Sequence, residues 1–289
     1  MTNGVTTSAV TTGAVTTNAV TTGAVTTARR VRRVLVVAAV GLGLVACGSG
    51  TADDLAGGLD GTASTLRGDL TVLAAASLSE PFTTLGERFE AAHPGVDVTF
   101  GFAGSTALAA QIADGAPADV FASASATTMD EVVATGDADE PVVFATNTVQ
   151  IAVPPGNPGG VTGVVDLADP ALKVALCRPE VPCGVAAAAV LASSGATVTP
   201  VTLEPDVKAV LSKVRLGEVD AGLVYVTDVL AAGADVEGVV VPADVNASTE
   251  YPIATLSESA HPELAAAFVD LVLSPTGADV LAAAGFGRP

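Results

Sequence analysis

From Leu70 to Ala122 the chain alternates short runs of β-forming or small residues with alanine-rich stretches of helical period, and no other feature restricts its fold as much. Strands are expected at Leu70–Ala75, Asp97–Phe102 and Val120–Ala122, with helices at about Leu78–Ala92 and Ser105–Asp114 between them. Strands joined through single helices pair in parallel, so the pattern implies an α/β doubly wound sheet. The first two strands end alike. Ala74-Ala-Ala-Ser77 and Phe102-Ala-Gly-Ser105 each finish on an uncharged hydroxyl where a helix begins. A strand that stops at Ser and turns into a helix aims backbone N–H groups and a hydroxyl at one point, which makes an anion site without positive charge. Two such ends can share one anion.

A second series follows the β-branched run Phe144–Val153, which ends at Pro154-Pro-Gly-Asn-Pro158. A strand at Lys173–Cys177, helices at about Gly184–Ser193 and Val207–Leu216, and a strand at Ala221–Val226 form a second lobe between Val161 and about Val241. Tyr251–Thr255 reads as a strand returning to the first lobe, and Pro262–Leu273 and Pro275–Ala284 as terminal helices. Two crossings between lobes make a hinge, and in open α/β sheets a ligand sits in the crevice facing the strand C-termini. The 289 residues, 49% of them hydrophobic, suffice to bury a core in each lobe.

Charge and ring content exclude several functions. Aromatics are only 3% and Trp is absent, which argues against sugar platforms and base-stacking surfaces. The formal net charge of −19 repels nucleic acid. Four of the 12 basic residues, Arg29, Arg30, Arg32 and Arg33, lie in the first 46 residues, which hold no Asp or Glu, so the remainder is more acidic still. Its overall field repels a dianion, and an anion site here has to work through local donors.

Arg29-Arg-Val-Arg-Arg33 followed by the apolar or Gly residues Val34–Ala46 has the form of an export signal and is too short for a comfortable membrane span. The run ends in Leu44-Val-Ala-Cys47 and Gly-Ser-Gly, which resembles the lipobox of bacterial lipoproteins, with Cys47 as the lipidated first residue; a plain cleaved signal is the alternative. Upstream, Ala-Val-Thr-Thr repeats with variations from Val5 to Thr27, a low-complexity segment expected to be disordered, and Val31 is a candidate true start. Residues 1–46 are thus read as a low-complexity segment plus signal, 47–68 as a flexible tether, 69–146 with 246–289 as the first lobe, and 147–245 as the second. With Cys47 lipidated, Cys177 and Cys183 remain. An even remainder in an exported chain points to a disulfide, with two free thiols as the alternative. The five-residue spacing without a neighbouring His is poor for zinc.

Five ordered blocks carry a resemblance: Ala74-Ala-Ala-Ser-Leu78, Phe102-Ala-Gly-Ser105, Gly115-Ala-Pro-Ala-Asp-Val-Phe-Ala-Ser123, Val181-Pro-Cys-Gly184 and Gly222-Leu-Val-Tyr-Val-Thr-Asp228. Together, from about Leu70 to Phe286, the chain resembles the molybdate-binding proteins of ABC importers, in the type II periplasmic-binding-protein superfamily. The resemblance implies a two-lobe α/β fold, each lobe a doubly wound mixed sheet flanked by helices. It also implies an oxyanion held between the lobes by Ser77 and Ser105 from one side and by the amides of Cys183 and Val207 and the phenol of Tyr225 from the other. Where the family commonly has a small residue such as Ala, this chain has Cys183, and Gly104 replaces a frequent Ser. Molybdate and tungstate are fully deprotonated at neutral pH, so a site made only of donors satisfies them, whereas protonated phosphate finds no acceptor for its hydrogen.

Other polar residues have plainer roles. Asp119 and Asp228 lie within apolar strand-end motifs and are expected to cap or bond backbone. His93 and His261 each precede Pro at a helix end, where surface or capping roles are expected rather than metal binding. Gly-x-Ser-x-Gly is absent and neither His lies in a motif that brings it to Ser77, so no catalytic residue and no cofactor is expected. Sulfate stays open as a ligand, since separating it from molybdate depends on cavity size. A ferric ion is disfavoured, because Tyr225 and Tyr251 are the only tyrosines. A surface lipoprotein that binds nothing small is a third class. The expected partners are molybdate or tungstate, a membrane permease with its ATPase, and the outer face of the cell membrane through the lipid anchor; the protein is expected to act as a monomer.

Overall fold

The computed structural model describes residues 66–289, so the export signal, Cys47 and nearly all of the expected tether lie outside the described residues. The chain enters at β1 (Gly68–Ala75), makes one 3-10 turn (Ala76–Leu78), and continues through α1 (Ser79–Ala92), β2 (Val96–Ala103), α2 (Ser105–Ala113), β3 (Val120–Ala122) and α3 (Ala126–Ala134). β1 pairs in parallel with β2 and β3. Leu70, Val72 and Ala74 enter one apolar cluster and Leu73 another, the period of two expected of a strand covered on both faces.

β4 (Val142–Val153) joins the two halves. Its first part pairs antiparallel with β9 (Ser248–Thr255) from Val142 to Thr148. From Val149 it pairs antiparallel with β7 (Ala221–Tyr225) and with β8 (Glu237–Val240). One strand therefore serves both lobes, and β9 begins where that change occurs. Between β4 and β7 the chain forms β5 (Val174–Cys177), α4 (Pro182–Ser194), β6 (Thr202–Glu204) and α5 (Val207–Arg215); α6 (Val226–Ala232) follows β7. β5 pairs in parallel with β6 and β7. The sheet path is β2-β1-β3-β9-β4-β7-β5-β6, with β8 beside β4. The helices α7 (Pro262–Leu273) and α8 (Pro275–Ala283) return to the first lobe.

The cores divide accordingly. In the second lobe Ile151, Val210, Val214, Ala221 and Leu223 are buried in one cluster. The first lobe concentrates the scarce aromatics: Phe268 meets Phe89 and Phe82 edge to face, with ring centroids 5.6 and 6.0 Å apart. Such pairs contribute about 0.5–1.5 kcal/mol each beyond their buried area.

Two strands and two α-helices were not expected from the sequence. β6 and β8 have three and four residues and only one partner strand each, too short for an apolar alternation to register. α3 starts at Ser125, whose Oγ accepts from the Thr128 N–H at 3.3 Å. α6 begins at Val226, where the β-branched run suggested continued strand. The Asp228 carboxylate accepts the Tyr225 N–H at 3.1 Å and turns the chain into a helix there.

Candidate functional site

Ser77, Ser105, Cys183, Val207 and Tyr225 line a single cavity between the lobes, with about 240 Å³ of space not filled by protein and partly open to solvent. Each sits where a strand gives way to a helix. Ser77 lies in the 3-10 turn that follows β1, Ser105 is the first residue of α2, Cys183 the second of α4 and Val207 the first of α5; Tyr225 ends β7 and precedes α6. The first amides of a helix have no intrahelical acceptor, so three helix N-termini present N–H groups and the positive ends of their dipoles to one space. The local sequence selects these starts. Pro182 occupies the first position of α4, where its missing N–H costs nothing, and Asp206 caps α5 by accepting the Ala209 N–H at 2.9 Å.

The hydroxyl groups are tied down from behind. Ser105 Oγ accepts the Ala124 N–H at 3.0 Å, and Ser77 Oγ lies 2.9 Å from the Tyr251 hydroxyl. Tyr225 is buried, and its hydroxyl lies near the Thr249 and Tyr251 hydroxyls without closing a well-formed hydrogen bond to either. Burial pushes its pKa well above the usual phenol value, helped by the neighbouring Tyr251 and Asp228, so it stays a neutral donor. An unpartnered buried hydroxyl costs about 1–3 kcal/mol, which a guest acceptor would recover.

Charge is present nearby but already paired. Lys208, next to Val207 on α5, contacts both Glu80 oxygens at 2.8 Å across the lobes and stands 3.2 Å from Asp228 Oδ1, an ion pair rather than an aligned hydrogen bond. Burial pushes the Asp228 pKa up to about 6, against the pull of Lys208. Burial also works against the Glu80 carboxylate, but Lys208 offsets it and holds the pKa below the ordinary value. A second tie across the lobes is the Thr106 hydroxyl, which donates to the Glu180 carbonyl at 3.1 Å.

Asp119 and Asp228 lie outside the cavity lining. Asp119 accepts the Thr71 N–H at 2.8 Å and the Ser259 hydroxyl at 2.6 Å, joining β1 to the entry of α7. His93 ends α1 and His261 precedes α7. Among the described residues no group of three or more His, Cys, Asp or Glu could hold a metal ion. Tyr251, Asn147, Lys208 and Ala124 were missed in the sequence. Tyr251 was visible only as one of two tyrosines, and the others bear no local signal.

Cys177 and Cys183 form a disulfide, pinning the end of β5 to the first turn of α4 with Cα atoms 5.8 Å apart. Replacing both by Ser is expected to lower stability by about 2 kcal/mol, the chain-entropy value for so short a loop. Urea unfolding of the two forms measures this, and an unchanged midpoint would show that the loop is held without the bond.

Helix starts from two lobes converging on a cavity lined by no cation, and by one carboxylate, Asp206, that already accepts the Ala209 N–H, define a receptor for a small anion. Residues 70–287 match the family of bacterial extracellular solute-binding proteins, and the chain belongs to that family. Among its relatives, the molybdate-binding protein ModA of Mycobacterium tuberculosis is 44% identical over 257 residues, covering 88% of this chain and 97% of the relative. A putative ABC transporter substrate-binding lipoprotein, YvgL of Bacillus subtilis, is 30% identical over 223 residues, covering 75% of this chain and 85% of the relative. The solved periplasmic molybdate-binding protein of Azotobacter vinelandii shares the fold, with a TM-score of 0.66 at 22% identity over 76% of this chain and 99% of that one.

Proposed function

We propose that this protein captures molybdate or tungstate outside the cytoplasm and delivers it to an ABC importer. The observation that carries this reading is the donor set: two serine hydroxyls, two helix-start amides and one buried phenol line one cavity. Such a set suits an anion that bears no proton of its own. Charge-assisted bonds of about 1.5–3 kcal/mol each, made from both lobes, support tight binding after the costs of closure. Binding is a hinge event. Residues 69–146 with 246–289 close on 147–245, and only the closed state brings both sets of donors to the ligand. Cys47 anchors the mature chain by lipid, and the loaded monomer presents its ligand to the permease and its ATPase. The protein itself performs no reaction.

Calorimetric titration of the protein with molybdate, tungstate, sulfate and phosphate tests this. One-to-one binding of molybdate or tungstate with weak sulfate is expected, and Ser77→Ala and Tyr225→Phe are each expected to weaken it about 10- to 100-fold. Tight sulfate alone would keep the transport role and replace the ligand. A folded sample that binds none of the four would overturn the receptor reading.

A further inference from the structure

We propose that Tyr251, oriented by Asn147, is a specificity-determining residue: by donating to Ser77 Oγ it turns the Ser77 proton toward the cavity, and so disfavours oxyanions that carry a proton. The assignment rests on the oxyanion reading above and goes beyond it, because Tyr251 does not line the cavity.

The polarity follows from counting donors and acceptors along a buried chain. The Thr148 N–H donates to Asn147 Oδ1 at 2.9 Å, which settles which end of the amide is oxygen. Asn147 Nδ2 therefore faces the other way, donating to Thr227 Oγ1 at 2.9 Å and, over a longer 3.5 Å, to the Tyr251 hydroxyl oxygen. That oxygen is thus already an acceptor, and Tyr251 is fully buried. Ser77 Oγ, at 2.9 Å, is the partner with good hydrogen-bond geometry for the Tyr251 proton; the Tyr225 hydroxyl is its other polar neighbour, without a closed bond. Were Ser77 the donor instead, the buried phenol proton would lose that partner, at a cost of an unsatisfied buried donor.

Ser77 Oγ accepts from Tyr251, so its own proton turns toward the cavity. Ser105 is treated the same way by different means: the Ala124 N–H occupies its oxygen, and a main-chain amide cannot reverse direction. Each hydroxyl has one of its two acceptor positions filled from behind, which biases its proton toward the cavity. Burial also raises the Tyr251 pKa, keeping the phenol protonated at every physiological pH. A hydroxyl that can still rotate would accept the hydrogen of a protonated anion and forfeit the discrimination. Locking its direction keeps the two serines on the donor side of the site, where the Asp206 carboxylate, capping α5 through the Ala209 N–H, is the acceptor in the lining.

The test compares molybdate with hydrogen phosphate at pH 8, by calorimetry, in the wild type and in Tyr251→Phe, Ser77→Ala and the double variant. Tyr251→Phe keeps the ring and removes only the hydroxyl. It is expected to weaken molybdate about tenfold and leave hydrogen phosphate unchanged or stronger, so that the preference narrows at least about tenfold. In the Ser77→Ala background the same substitution is expected to leave the ratio unmoved, because Tyr251 acts through Ser77; a purely structural role would shift both anions alike in either background. Equal losses for both anions, or the same narrowing without Ser77, would overturn the assignment while leaving the receptor reading intact. A wild type that binds sulfate rather than molybdate is tested with sulfate in its place. A wild type that binds no dianion overturns both. Should Tyr251→Phe fail to fold, Asn147→Ala, which frees the phenol to turn, is expected to narrow the ratio in the same direction, and no narrowing would refute the proposal.

Discussion

Replacing Gly104 by Ser lowers ligand affinity at least about 100-fold, while the melting temperature of the ligand-free protein changes little. A Cβ at position 104 would lie 2.5 Å from the Pro205 carbonyl oxygen, which belongs to the opposite lobe, and neither atom is the end of a flexible chain. Gly104 has ordinary extended dihedrals, φ −60° and ψ 133°, so the new side chain strains nothing within its own lobe. Only the approach of the lobes suffers. Holding them apart removes at least two charge-assisted donors from the ligand, at about 1.5 kcal/mol or more each, and every 1.4 kcal/mol is tenfold. Titration and calorimetric melting of the variant measure the two effects separately. Undiminished affinity in the variant would show that the lobes close along a different path.

Replacing Lys208 by Met costs about 3 kcal/mol of stability near neutral pH, toward the lower end of the range for removing one partner of a buried ion pair. Among the described residues Lys208 is the one cation paired with Asp228, whose side chain is fully buried, and its own side chain is 23% exposed. The pH dependence gives the sharper check. Asp228 titrates at about 6 in the folded protein, above its ordinary value of 3.8, so folding disfavours its charged form. Its ionisation therefore costs stability progressively as pH rises from about 4 to 6, and the cost is constant above that. Without Lys208 the folded-state pKa rises further. The deficit of Lys208→Met should then be large at pH 7.5 and shrink by pH 4.5, where Asp228 protonates and no longer needs a partner. Urea unfolding at the two pH values decides; an equal deficit at both would mean that the lost contact with Glu80, not the stranded carboxylate, dominates.

The legible part of this molecule was local. β1, β2, β3 and the helices α2 and α7 lie within a residue or two of the expected bounds, because strand alternation, helical period and proline or serine at a helix start are properties of neighbouring residues. α6 and β8 escaped for the opposite reason. The segment around Val226 has β-branched residues that favour a strand, and only the Asp228 side chain folding back on the Tyr225 N–H turns it into a helix. The five residues lining the cavity were reached through family blocks rather than through chemistry readable at each position. Val207 contributes a main-chain amide, to which any side chain would be indifferent.

By itself the sequence determined the α/β class, the order of most strands and helices, the serine-ended turns, and an acidic chain whose anion site had to use local donors. Tertiary structure alone decided which groups stand behind those donors. Tyr251 meets Ser77 across 174 residues and Lys208 meets Glu80 across 128, and both contacts join elements whose sequences say nothing of one another. The physical reason is that helix starts and strand faces follow from short-range sterics and hydrogen bonding. The direction of a hydroxyl proton or the partner of a buried charge is settled only when folding removes water and leaves a single remaining neighbour.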